Sequence, residues 1–153
     1  MLRVYTDTSV FGGVFDPEFS GPSRVFFEQT RAGRFLLLVS NITRREISLA
    51  PGPVQDLFAS LMPCMELFVQ EPQAWALRDA YLAAAVLGPA RSDDAGHVAA
   101  ATVANADIIV SWNFKHMVNV DKIRLFCAVN SLRGYRPIDI RSPLEVIAYE
   151  EEI

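Results

Sequence analysis

At 153 residues, 51% of them hydrophobic and 21% charged, the chain suits one domain spanning residues 1–153, with enough apolar side chain to bury a core without external staples. A net charge of −4 and an isoelectric point near 5.1 argue against a sequence-independent nucleic-acid binder with a basic face. No basic stretch followed by an apolar run opens the chain, and no window approaches ~18 uninterrupted apolar residues, so a membrane span is excluded and a cytoplasmic protein is expected.

Leu2 to Thr6 reads as a short strand. Gly12-Gly13 and Asp16-Pro17 mark a loop, followed by a helix from Ser23 to Arg31. Arg34 to Val39 reads as a strand whose residues 35–39 are an unbroken apolar run, the pattern of a parallel strand buried on both faces. Asn41 is a natural N-cap for a helix carrying Glu46, and Pro53 starts another that runs to Leu61. Met65 to Val69 is a third strand, and Gln73 to Leu87 is the longest helix, stopped by Gly88-Pro89.

Ser92 caps a helix from Asp93 to Asn105, Asp107 to Val110 is a fourth strand, Val120 to Leu132 has helical spacing, and Ile138 to Ile140 closes as a last short strand. Strands alternating with helices define an α/β sandwich around a parallel sheet. The acidic tail Glu150-Glu151-Glu152 reads as a frayed, solvated end. Cys64 and Cys127 lack any zinc-like pairing and read as two buried free thiols in a reducing compartment. The mean hydropathy of +0.20 leaves apolar surface for a partner or a second copy to cover.

Ligands of open α/β sheets bind beyond the carboxyl ends of the strands, and Asp7 and the Ser111-Trp112-Asn113 turn both follow strands. Asp94 lies in the first turn of its helix, where the dipole favours its charge, and Glu46 sits beside Arg44 and Arg45. Three carboxylates gathered by the fold repel one another and call for a cation. An oxygen-only set suits Mg²⁺ or Mn²⁺, and the scarcity of Cys and His argues against zinc. Metal-assisted phosphodiester hydrolysis is the reaction class this allows. The acidic isoelectric point is compatible with it, because Arg44, Arg45, Lys115 and His116 can still meet phosphates.

Each residue also has a structural reading. Asp7 alone reads as a turn former, Asp93 and Asp94 as capping charges, Glu46 with Arg45 as a surface pair, and Lys115 with His116 as a solvated turn. His97, on an otherwise apolar helix face, reads as a hydrogen-bonded structural imidazole and stays outside the catalytic set. Trp112 and Phe114 read as core in preference to base-stacking platforms. A phosphatase with an Asp nucleophile is disfavoured because Ser9 stands where a second Asp is needed, and no G-x-x-x-x-G-K-[ST] loop is present.

Four segments together resemble a PIN domain, specifically the VapC-like ribonuclease toxins of toxin–antitoxin pairs. They are Tyr5 to Phe11, Thr43 to Ile47, Asp94 to Ala101, and Ala106 to His116. The resemblance spans nearly the whole chain and implies a three-layer sandwich, with a central, mostly parallel sheet flanked by helices. It also implies an acidic cluster that binds Mg²⁺ or Mn²⁺ and cleaves single-stranded or looped RNA. By position, Asp7, Glu46 and Asp94 are the implied metal ligands, and Thr8 or Ser9 and Ser111 orient them or a water.

Asn113 falls where the family commonly has a fourth acid; its carbonyl can ligate a metal, but it adds no charge and weakens a second ion. Asp107 precedes its strand and is expected at the opposite end from the site. The implied partners are RNA, an antitoxin protein and a second copy in a homodimer. The alternative is a catalytically weak or inactive PIN-like domain that binds RNA or a protein partner.

Overall fold

The apolar runs form strands in the computed structural model, which describes residues 1–150. They are β1 (Leu2–Thr6), β2 (Phe35–Ser40), β3 (Met65–Phe68), β4 (Ile108–Val110) and β5 (Ile140–Arg141). The five lie in the order β3-β2-β1-β4-β5, and every neighbouring pair is parallel. Val4 is registered against Leu37 and Ile108, and Tyr5 against Leu38 and Ile109.

Because side chains alternate across a strand, the sheet feeds two cores, one on each face. Tyr5, Leu38, Ile109 and Ile140 point to one face. That face is covered by α5 (Pro72–Ala83), α6 (Ser92–Val103) and α7 (Val120–Leu132). Val4, Leu37, Val39 and Val110 point to the other, beneath α1 (Thr8–Gly13), α2 (Ser20–Arg31), α4 (Gly52–Leu61) and α8 (Pro143–Val146). This is the helix–sheet–helix α/β sandwich expected from the sequence. The remaining helix, α3 (Asn41–Ser48), leaves the carboxyl end of β2 and carries Glu46.

Several boundaries differ from the sequence reading. Thr8–Gly13 is helical, although Gly12 and Gly13 read as loop. Gly13 is needed for closeness, since a Cβ there would lie 2.7 Å from Ser23 Oγ and 2.8 Å from Trp112 Nε1. The cap of α3 is Ser40, whose Oγ accepts from the Ile42 N–H and whose backbone N–H donates to Thr43 Oγ1. Asn41 instead accepts the Gln70 N–H at 2.9 Å.

Helix α5 stops at Ala83, where Ala85 takes a left-handed φ of 58°. The longest helix is therefore α7, with 13 residues. Ser92 is the first residue of α6, not its cap, and follows a 3₁₀ turn at Pro89–Arg91. Cys64 and Cys127 are free but only half-buried. Of the tail, Glu151 and Glu152 lie outside the described residues. Among the described residues, no helix is long and apolar enough to cross a membrane.

Candidate functional site

With all five strands parallel, their carboxyl ends share one edge. The strand order reverses its direction of growth between β1 and β4, which opens the crevice where open α/β sheets take ligands. Asp7 leaves β1 and Ser111 leaves β4 at this point. Asp7 is 4% exposed, and both its oxygens are held: Ser9 Oγ donates to Oδ1 at 2.6 Å and Ser111 Oγ to Oδ2 at 2.8 Å. Ser9 Oγ also accepts the Trp112 N–H and Ser111 Oγ the Asn113 N–H, so two hydroxyls fasten the β4 turn to the Asp7 carboxylate. Trp112 Nε1 donates to Ser23 Oγ at 2.9 Å, which anchors the same turn to α2.

Asp94 stands in the first turn of α6. Asn113 Nδ2 donates to its Oδ2 at 3.2 Å, while Asn113 Oδ1 accepts the His116 N–H at 3.0 Å. The backbone N–H can only donate, so the amide orientation is fixed and Asn113 offers Asp94 a donor. Its carbonyl oxygen is thus already engaged.

Glu46 reaches the cluster from α3. Its Oε1 accepts from Thr8 Oγ1 at 3.0 Å and meets His97 Nε2 at 2.5 Å. His97 is 2% exposed, and its Nδ1 lies 2.6 Å from Tyr5 Oη, which is 2.8 Å from Ser40 Oγ. Gly96 permits the helix contact behind this pair, because a Cβ at that position would fall 2.5 Å from Ile42 Cδ1. The sequence reading of His97 as a hydrogen-bonded imidazole is correct, but its partner is the candidate ligand Glu46. The signal available was its spacing: His97 is three residues after Asp94 and so shares its helix face.

The electrostatics follow from burial. Desolvation raises the Asp7 carboxyl above its ordinary range, against the opposing effects of His97 and the two serines, with Asp94 adding to the rise. Asp94 is raised for the same first reason, against His97, Asn113 and His116, with Glu46 adding to it. Burial also acts to raise Glu46, but the hydrogen bond and charge of His97 outweigh it and the carboxyl is lowered. Burial disfavours the His97 cation, yet Tyr5, Glu46 and Asp7 overcome it and push the imidazole up to about 10. Nε2 thus faces the Glu46 carboxylate as its donor, while Nδ1 meets the Tyr5 hydroxyl, which continues to Ser40.

The structure thus brings together Asp7, Thr8, Ser9, Glu46, Asp94, Ser111 and Asn113. Other sequence candidates lie further out. Arg44 lines a recess with Phe58, Met62, Met65 and Leu67, about 200° around α3 from Glu46. Arg45 is paired with Asp93 at 2.7 Å, where Glu46 was expected. Lys115 is exposed on the β4 turn. His116 is lowered by desolvation and by Arg91, Lys115 and Lys122, against the pull of Asp94. Trp112 is buried as expected, whereas Phe114 is 48% exposed. A recess of about 460 Å³ lies on the β5–α7 side, lined in part by Phe114, Val120, Ile123 and Arg141, and none of the three carboxylates borders it.

Among the described residues, no three His, Cys, Asp or Glu side chains are arranged as a ready metal-binding group. The donor chemistry nonetheless fits a hard divalent cation. The donors are all oxygens, two carboxyls are raised by burial, and Mg²⁺ is commonly held by only one or two carboxylates with water completing its shell.

No protein-family model matches the chain, and no curated protein matches it. Among solved structures, the fold is similar to a chain of "Crystal structure of VapBC2 from Rickettsia felis bound to a DNA fragment from their promoter". The TM-score is 0.59 at 12% sequence identity, with 92% of this chain and 98% of that chain covered. The likeness establishes the fold: a parallel, PIN-like α/β sandwich.

Proposed function

We propose that the protein is a Mg²⁺- or Mn²⁺-dependent endoribonuclease of the cytoplasm, a VapC-like toxin that hydrolyses RNA phosphodiester bonds. The observation that carries this reading is that Asp7 and Asp94, two carboxyls raised by burial, lie near the sheet's switch point with Glu46 on the neighbouring α3. The likeness in fold to a chain of the VapBC2 complex supports it.

Asp7 and Asp94 would hold the ion, with Glu46 joining through Oε2, which has no hydrogen-bond partner among the described residues. When bound, such an ion activates water for attack and neutralises the leaving oxygen. Ser9 and Ser111 keep both Asp7 oxygens oriented, and Thr8 steadies Glu46. Lys115 and His116, on the turn beside Asn113, would meet RNA phosphates. Exposed Met62, Leu67 and Val69 leave apolar surface along the β3 edge, which suits an antitoxin or a second copy of the chain.

The experiment is incubation with a pool of structured RNAs plus Mg²⁺, Mn²⁺ or EDTA, beside Asp7→Asn and Asp94→Asn. Metal-dependent cleavage lost in both variants is the expected result. Cleavage that survives either substitution or EDTA overturns it. A second reading, a PIN-like module that binds RNA or protein without cutting, is favoured by the Asn113 amide in place of a fourth acid. RNA binding without cleavage by wild-type protein in Mn²⁺ would select it.

A further inference from the structure

Glu46 is a flexible carboxylate on a short helix, with a third of its side chain exposed. Left free, it would sample several rotamers and present either oxygen. Instead one oxygen is held by a closed circuit through three elements. Ser40, the N-cap of α3, touches Tyr5 Oη on β1; Tyr5 touches His97 on α6; and His97 returns to Glu46 on α3, six residues after the cap.

Every member of the circuit except Glu46 is buried: Tyr5 and Ser40 are fully enclosed, and His97 is nearly so. The Tyr5 and His97 rings also meet edge to face, 5.7 Å apart at 63°. Packing therefore confines the ring, and the Tyr5 hydroxyl at Nδ1 sets which way its Nε2 points. The circuit ties both halves of α3 to the sheet and to α6, so helix rotation and side-chain rotamer are set together.

We propose that His97 and Tyr5 are positioning residues for Glu46, holding Oε1 so that Oε2 remains the oxygen available to a divalent cation beside Asp7 and Asp94. The inference rests on the metal-site reading above. A packing role alone would require a ring of this size, but not a donor at Nε2 aimed at a partly exposed carboxylate of the cluster.

The test compares two amides that remove the imidazole equally. His97→Gln carries an amide nitrogen near the Nε2 position and keeps a donor for Glu46. His97→Asn reaches only as far as Nδ1 and loses it. Mn²⁺ affinity is read by electron paramagnetic resonance of the free ion, without RNA, and folding by the thermal transition in EDTA.

The expected result is a Kd for Mn²⁺ about 10- to 100-fold weaker in His97→Asn than in His97→Gln, the usual effect of removing a residue that orients a ligand. Tyr5→Phe, which frees the imidazole while keeping the ring, should weaken binding by a smaller factor. It decides the matter should His97→Asn fail to fold. Equal affinities in the two amide variants, or wild-type affinity in a folded Tyr5→Phe, overturn the proposal while leaving the metal site standing. Absence of Mn²⁺ binding by the wild-type protein overturns the site and this inference together.

Discussion

The two ends of the β1–β4 pair carry the same residue type in opposite circumstances. At the amino end, Asp107 is exposed and accepts the Arg3 N–H at 2.8 Å. The Arg3 guanidinium, in turn, donates to Ala104 O and Asn105 O and pairs with Glu66 at 3.3 Å. At the carboxyl end, Asp7 is buried, holds only hydroxyl donors, and is raised by desolvation above its ordinary range. One aspartate is a solvated structural link. The other is buried among hydroxyl donors, where desolvation outweighs the pull of His97 and disfavours its charged form, and that unfavourable energy marks a site. An acid that follows a strand becomes informative when its burial is not fully compensated.

Asp7→Asn should break this contrast most severely. RNA cleavage should fall on the order of 10²–10³-fold or more, as when a fixed electrostatic contact in a reacting site is removed. Stability should move the other way. A carboxyl raised in the folded state contributes stability that is present below its unfolded value, 3.8, and lost as pH rises through the folded value. At pH 7 the Asn variant should therefore melt higher than wild type in EDTA, and the two should converge below about pH 4. Thermal melts across that range check the sign.

Asn113→Asp should sharpen the contrast by adding a fourth acid. It should lower metal-free stability by about 1–3 kcal/mol through loss of the amide donor to Asp94 and added repulsion. It should also enlarge the stabilisation given by Mn²⁺, read as a difference in Tm with and without the ion. The same pH direction as for Asp7 applies to His97, over a higher window. Raised to about 10 from 6.5, its contribution to stability should be complete below pH 6.5 and lost as pH rises toward 10. Denaturant melts of wild type and His97→Gln should thus converge at the alkaline end.

Gly96→Ala should act more gently. Overpacking against Ile42 costs about 1–3 kcal/mol, offset by about 1 kcal/mol of helix propensity, for a net loss of up to about 2 kcal/mol in urea melts. The smallest effect belongs to Asp107→Asn, within about 0.5 kcal/mol in the same melts and without change in cleavage.

The strands and α7 were legible because each is a bounded apolar run or a clean helical period, and four parallel pairings follow once helices separate the runs. Asp7, Asp94 and Ser111 were legible as residues that follow strands or open helices, whereas Glu46, six residues after the α3 cap, carries no such marker. What the chain concealed was local competition and distant contact. Gly12-Gly13 reads as a breaker, yet α1 uses Gly13 for its approach to Ser23 and Trp112. Adjacent Ser40 and Asn41 are both good caps, and tertiary demand from Gln70 decides between them. The apolar stretch to Leu87 conceals the end of α5, because an alanine takes the left-handed turn usually left to glycine. The Tyr5–His97–Glu46 circuit joins residues 51 and 92 positions apart, and no local period reports such a meeting.

The most direct measurement is the Mn²⁺-induced shift in Tm for wild type, Asp7→Asn and Asp107→Asn at pH 7.5. A ligand that binds only the folded state raises Tm by an amount that grows with its concentration relative to Kd. The site described here predicts a matching rise for wild type and Asp107→Asn and none for Asp7→Asn. Equal shifts in all three proteins, or no shift in wild type, would contradict it.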